Sequence, residues 1–241
     1  MRKFFSGFIL GIVITLPAIF LTDHFKEPQI VEKVVVKEIE VPKEVEVIKE
    51  VVVEKEVIRK TDIEVVAASC KNSCVTIYAY KGKTKNQGSG WIYNGYVVTA
   101  KHVVEGFDEI FVFTDDTENS RYATVHYIDP DLDLAVLKAP VTLPSLNLGD
   151  SNKLIDGEKL VSITSPEGIK NVIGECIYSG RAHFGTDKYL TLSKGTMSPG
   201  SSGGPIFNYN SEVVGMVVEG NKGGNYAIPV NDMKSVLEQL D

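Results

Sequence analysis

Thiols and imidazoles are scarce in this chain: its 241 residues include three cysteines and four histidines. Cys70, Cys74 and Cys176 leave no second metal-type pair, so no metal site is expected, and no cofactor is called for. None of the three has the histidine context of a catalytic cysteine, which disfavours a cysteine protease. Spacing leaves open a bridge from Cys70 to Cys74, a bridge from either to Cys176, or three buried thiols. Clustered positive charge is missing as well. The formal net charge is −7 and no aromatic-basic surface pattern stands out, so nucleic acid is not an expected partner. The balance of 43% hydrophobic and 24% charged residues suits one globular domain with appendages.

What the chain does contain is three chemically distinct segments in a fixed order. Val97-Val98-Thr99-Ala100-Lys101-His102-Val103-Val104 puts an imidazole at the end of an apolar strand. Asp131-Leu132-Asp133-Leu134-Ala135-Val136-Leu137-Lys138 puts a carboxylate at the start of another. Ser198-Pro199-Gly200-Ser201-Ser202-Gly203-Gly204-Pro205 puts a hydroxyl in a glycine-rich turn. A serine hydroxyl is a poor nucleophile unless a base takes its proton as it attacks. His102 is the expected base, and Asp133 is expected to hold its other ring nitrogen and stabilise the imidazolium. The glycines around Ser202 permit a tight turn, and the N–H groups of Gly200 and Ser202 are expected to face the oxyanion.

Each segment has a plainer explanation. Small-residue runs are commonly flexible loops, but Pro199 stiffens the entry and Pro205-Ile206-Phe207 leads into an apolar run. A histidine after a strand is commonly structural, yet His24, His126 and His183 lack a comparable setting. Asp129 and Asp131 compete with Asp133 beside Pro130; Asp133 is preferred because a rigid apolar strand follows it directly. The order His, Asp, Ser differs from Asp, His, Ser in subtilisins and Ser, acid, His in α/β-hydrolases, and matches the chymotrypsin double barrel.

In front of these segments, Arg2-Lys3 is followed by an apolar stretch from Phe4 to Leu21. Eighteen helical residues rise about 27 Å, close to a hydrocarbon core of about 30 Å. The stretch lacks clear small residues for a signal peptidase, so an uncleaved anchor over residues 1–25 is expected, with the rest on the exoplasmic side. Residues 26–61 follow, and within them KEIEVP, KEVEVI, KEVVVE and KEVIRK repeat every six from Lys37, Lys43, Lys49 and Lys55. Six is even, so strand alternation stays in phase while a heptad coil would not, and Pro42 also opposes a helix. An extended spacer or stalk is expected, reaching on the order of 110 Å, whose alternating valines invite pairing.

Residues 62–241 carry short β-rich runs: Val75–Tyr80, Gly90–Thr99, Glu109–Phe113, Ala123–Ile128, Leu134–Leu137, Lys159–Ser162, Lys188–Leu192 and Val213–Val218. Turn signals at Asn94-Gly95, Asp115-Asp116, Asp129-Pro130 and Pro166-Glu167-Gly168 separate them, which predicts a barrel or sandwich. Thr61 or Asp62 is expected to cap a short helix through Ala68, and Asn231–Leu240 to form a terminal helix with its own cap.

Four stretches in order, GSGWIYNGYVVTAKHVV (Gly88–Val104), DLDLAVLK (Asp131–Lys138), SPGSSGGPIFN (Ser198–Asn208) and NYAIPVNDMKSVLEQL (Asn225–Leu240), resemble the trypsin-fold serine peptidases, and within them the HtrA/Deg-type branch. The resemblance implies an all-β fold of two six-stranded antiparallel barrels with a C-terminal helix, behind the membrane helix and stalk. It places His102 and Asp133 in the first barrel, Ser202 in the second and the site between them. It implies a substrate pocket near Thr196, with walls from Val218, Glu219 and Gly220 and near Asn225. No acid stands at Thr196, so small or medium apolar residues are expected on the acyl side of the cleaved bond. Digestive trypsins carry an acid before the nucleophile, where this chain has Ser201, and no IVGG-like sequence appears upstream, so activation by zymogen cleavage is not expected. Relatives order their loops on binding a partner, which implies regulated activity, and trimers are common among them, which suits a homo-oligomer here. The chain ends soon after the predicted last helix, so no PDZ domain is expected. The expected function is hydrolysis of polypeptide substrates by a membrane-tethered serine endopeptidase. The alternative is a catalytically silent module of the same fold that binds peptides or protein partners.

Overall fold

The computed structural model describes residues 30–35, 54–59, 62–114, 120–185, 187–193, 197–219 and 225–240. The apolar stretch at residues 4–21 therefore lies outside the described residues, and among those described no helix is long and apolar enough to cross a membrane. Within residues 26–61, β1 (Ile30–Val35), ahead of the hexad repeats, and β2 (Glu54–Arg59), at their end, pair antiparallel, with Ile30 opposite Arg59 and Val35 opposite Glu54. Alternating strands seek a hydrogen-bonding partner, and here it comes from the same chain, where the alternation had suggested a single extended run.

After helix α1 (Asp62–Cys70), six strands close a barrel: β3 (Cys74–Lys81), β4 (Thr84–Tyr93), β5 (Tyr96–Thr99), β6 (Glu109–Phe113), β7 (Ser120–Ile128) and β8 (Ala135–Lys138). Their order around it is β3-β4-β5-β8-β7-β6, and β6 returns to β3. The β-rich run Gly90–Thr99 is split into two strands at its own turn signal, where Asn94 and Gly95 both take positive φ (46° and 79°), the geometry of an Asn-Gly hairpin turn. A single-turn helix, α2 (Lys101–Val104), follows β5.

The second half comprises β9 (Asn147–Leu148), β10 (Lys159–Thr164), β11 (Val172–Phe184), β12 (Asp187–Leu192), β13 (Pro205–Phe207), β14 (Glu212–Glu219) and β15 (Asn225–Pro229), and ends in α3 (Val230–Leu237). Strands β13-β10-β11-β12-β15-β14 run in order, and β13 also pairs with β14, which closes a second six-stranded barrel. Short β9 joins β14 in parallel outside that ring. The α3 helix has no side-chain cap; Asn231 instead exchanges hydrogen bonds with Asp150 and Ser151, clasping the turn after β9.

Strands between the barrels are buried on both faces. On β10, Leu160 packs inside the second barrel while Val161 and Ile163 join the cluster shared with the first. On β14, Val214 and Val217 face one core and Val213 and Met216 the other. Both faces are dry, so apolar residues stand on both faces of these strands, as Leu160-Val161 and Val213-Val214 do. Each fully buried aliphatic side chain contributes about 1.5–3 kcal/mol, enough over these strands to hold the barrels in contact. That contact positions the site.

Candidate active site

Strand register brings His102 and Asp133 together. In the β5–β8 pair Thr99 lies opposite Ala135. The chain runs onward from Thr99 to His102 and backward from Ala135 to Asp133, so both leave the sheet at the same end. In α2 the apolar Val103 and Val104 are buried, while the His102 side chain stays 44% exposed. Asn86 on β4 donates through Nδ2 to the carbonyls of His102 (3.0 Å) and Val103 (3.1 Å), fixing the turn from below. The Asp133 carboxylate grips His102 twice: Oδ1 accepts from the backbone N–H at 2.9 Å, and Oδ2 lies 2.6 Å from Nδ1. Burial by itself would raise the Asp133 pKa. The His102 hydrogen bonds and charge, aided by the charge of Lys101, outweigh it and hold the carboxyl below its ordinary 3.8.

Ser202 sits in a turn that fixes almost every backbone group. Ser201 N–H donates to Ser198 O at 2.9 Å around Pro199 and Gly200, whose φ of +97° is what a type II turn requires of its third residue. The Pro199 carbonyl accepts from Glu167 N–H (2.7 Å), the Gly200 carbonyl from Ser89 Oγ (2.8 Å), and the Ser202 carbonyl from Ser89 N–H (2.8 Å). Among the described residues the Gly200 N–H, on the opposite side of the peptide from the Pro199 carbonyl, gives no hydrogen bond. An orphan donor beside a serine is the chemistry an oxyanion needs. Ser201 replaces the trypsin acid with a neutral staple: its hydroxyl accepts from Thr164 Oγ1 (3.1 Å) and Ser198 N–H (3.2 Å).

The Ser202 turn also packs directly on the His102 segment. A methyl group added to Gly203 would strike Ser89 O and Thr99 Oγ1 and come within 2.9 Å of Ala100 N. One added to Gly88 would lie 2.6 Å from Val103 Cγ2 and 3.1 Å from Ser202 O. Chain neighbours of the serine and of the histidine are thus in contact, and the two segments meet across β4.

The expected substrate pocket is described in part. Val218 is 6% exposed and packs into the shared core, and Glu219 ends β14 opposite Asn225. Thr196 and Gly220 lie outside the described residues. All three cysteines are buried thiols, so none of the three possible disulfides forms. Among the described residues no group of three or more His, Cys, Asp or Glu gathers as a metal site. Sequence reasoning missed the roles of Asn86, Ser89 and the Glu167 amide, which hold the His102 segment and the Ser202 turn. Ser89 stands in the Gly88–Val104 stretch and Glu167 in the Pro166-Glu167-Gly168 turn signal, but nothing local shows that their partners come from the Ser202 turn.

A family profile for the trypsin-like peptidase domain matches residues 88–216. Two relatives carrying the name "Probable periplasmic serine endoprotease DegP-like" are similar: that of Marinomonas sp. (strain MWYL1) is 36% identical over 173 residues, and that of Hahella chejuensis (strain KCTC 2396) 38% over 172. Each alignment covers 66% of this chain and 36% of the relative, so the chain spans about a third of their length. Among solved structures, the HtrA-type protease AlgW with tripeptide superposes with a TM-score of 0.66 at 25% identity, covering 73% of this chain and 62% of that one. The Rv3671c protease from M. tuberculosis in its active form gives 0.66 at 22% identity over 73% and 83%, a likeness of fold.

Proposed function

The chain belongs to the trypsin-like peptidase domain family, and from that premise we propose that it is a serine endopeptidase of the HtrA/DegP type acting on polypeptide substrates. Ser202 Oγ attacks the carbonyl carbon of the scissile bond as its proton passes to His102, through the ring nitrogen that Asp133 does not hold. The carbonyl oxygen takes the negative charge and is met by the N–H groups of Gly200 and Ser202. Such a donor is worth about 3–4 kcal/mol in the transition state. His102 then protonates the departing amine, and the acyl group stays on Ser202. Water, deprotonated by His102, attacks that ester and releases the acid, and the proton returns to Ser202. No metal or cofactor enters these steps. The observation that carries the proposal is the double hold of Asp133 on His102, at 2.6 Å and 2.9 Å, because it fixes the tautomer and aim of the base.

The test is a fluorophosphonate probe applied to the full chain. It should label Ser202, leave Ser202→Ala unlabelled, and block casein turnover. A folded wild type that neither labels nor turns over casein refutes the proposal. Acyl-side preference for small or medium apolar residues follows from the missing acid at Thr196; a peptide-library profile dominated by Lys or Arg refutes that part.

We further propose the layout read from the sequence: an anchor in residues 1–25, a spacer in 26–61 and the peptidase domain in 62–241. Arg2-Lys3 ahead of the apolar stretch and relatives named as periplasmic support an exoplasmic peptidase domain. Extraction of membranes with alkaline carbonate should leave the chain in the pellet, and release into the supernatant counts against the anchor. The resemblance to HtrA-type proteases, among which trimers are common, supports a homo-oligomer such as a trimer. A monomeric mass in light scattering removes that element.

A further inference from the structure

We propose that Lys101 is a positioning residue for this chemistry: its ammonium straps the loop that carries Asp133 to the helical turn that carries His102. The inference rests on the reading of His102 as base and Asp133 as its orienting carboxylate. It adds a third connection between the two segments, independent of the bonds they make to each other.

Lys101 Nζ donates to the backbone carbonyl of Asp129 at 2.8 Å and lies 3.4 Å from that of Pro130. Bonds from an ammonium are roughly twice as strong as neutral ones, and these end on backbone, so they restrain the path of the chain itself. The loop they hold is stiff. The Asp129 side chain is 7% exposed as a residue, and its Oδ1 accepts from the N–H groups of Asp131 (2.9 Å) and Leu132 (2.8 Å). Tyr127 donates its hydroxyl to Asp129 Oδ2 at 3.2 Å, and Asp129 N–H donates to Leu134 O at 2.9 Å. Residues 129–134 are thereby closed on themselves, and fixing the carbonyls of Asp129 and Pro130 fixes Asp133 as well.

The other end of the strap is just as firm. Lys101 is the chain neighbour of His102, and its own carbonyl accepts from Glu105 N–H at 2.8 Å, which closes the single turn of α2. A shift of the acid loop therefore pulls on the residue next to the base. Charge points the same way. Asp129, Asp131 and Asp133 crowd three carboxylates into five residues, and like charges that close drive a loop apart. The Lys101 ammonium sits on that loop and offsets the repulsion. A neutral side chain of similar length would keep the stem packing and lose both the bonds and the charge.

The test uses the full chain with its four histidines labelled with nitrogen-15. The low-field Nδ1–H proton resonance of His102 is identified by its disappearance in His102→Ala. In Lys101→Met, and equally in Lys101→Gln, that resonance should broaden away or move upfield. Fluorophosphonate labelling of Ser202 should slow by roughly tenfold or more, as expected when a catalytic group drifts by a fraction of an ångström. Lys101→Arg should restore both, since a guanidinium reaches the same carbonyls. A folded Lys101→Met or Lys101→Gln chain with the wild-type resonance and labelling rate overturns the strap, as does a folded Lys101→Arg chain that restores neither. A wild type that fails to label sinks the proposed peptidase activity, and the resonance comparison then decides the strap alone.

Discussion

The Ser89 amide donates to the Ser202 carbonyl over 2.8 Å, so a strand of the first barrel directly holds the serine of the second. Ser89 Oγ adds to this: it donates to Gly200 O at 2.8 Å and accepts from Ser165 N–H at 2.7 Å. Ser89→Ala removes the hydroxyl and leaves two buried backbone groups unpaired. The expected loss is about 1–3 kcal/mol, read from urea denaturation, together with slower probe labelling of Ser202. An unchanged midpoint and labelling rate contradict this account of the turn.

Asp133→Asn keeps the shape of the side chain but removes the charge that sets the His102 tautomer. Turnover of a peptide substrate should fall by roughly four orders of magnitude, with the fold intact by circular dichroism. Loss of less than tenfold means that Asp133 is not the orienting group.

Acid titration should expose the same residue in the stability of the protein. The folded Asp133 carboxyl titrates below its ordinary 3.8, so near that pH the unfolded chain binds more protons than the folded one. The contribution of Asp133 is then complete well above pH 4 and is lost as pH falls below about 4. Melting temperatures of wild type and Asp133→Asn should differ at pH 6 and converge toward pH 3. A gap that widens on acidification has the wrong sign.

Burial pushes the Cys70 thiol up to about 11 and the Cys176 thiol up to about 12. Cys74 is buried beside the first and bonds to the Cys70 carbonyl. Thiolate is the reactive form, so the native chain at pH 8 should be nearly inert to a disulfide exchange reagent. All three thiols should titrate once denaturant is added. Rapid reaction of any one in the native state contradicts the packing.

Much of the site was legible because its conformations are local. Proline and glycine at 199 and 200 favour a type II turn by local preference, and the turn is present with Gly200 at φ +97°. The apolar run before His102 and the one after Asp133 end and begin strands as expected. Other elements were hidden. The 13-residue β11 contains Gly174 and Gly180 and bends at a register shift after Tyr178, so it does not read as one strand. The three residues of β13 are too few to show a period. Asn86, Gln87 and Ser89 look like loop residues, yet they lie inside β4, paired with β3, and the side chains of Gln87 and Ser89 find partners in the second half of the chain.

The order of the chain fixed which groups are present, how sharply the serine turn bends, and which strands begin and end beside the imidazole and the carboxylate. Folding in three dimensions decided that the imidazole meets the carboxylate and that the serine turn packs against their segment. Thr99 faces Ala135 only because the first barrel closes in that register, and Ser89 reaches Ser202 only because two apolar faces of β10 and β14 press the barrels together. Dihedral preference and alternation act over a few neighbouring residues. Hydrogen bonds between residues 31 and 113 positions apart depend on sheet register and burial, which the whole chain sets at once.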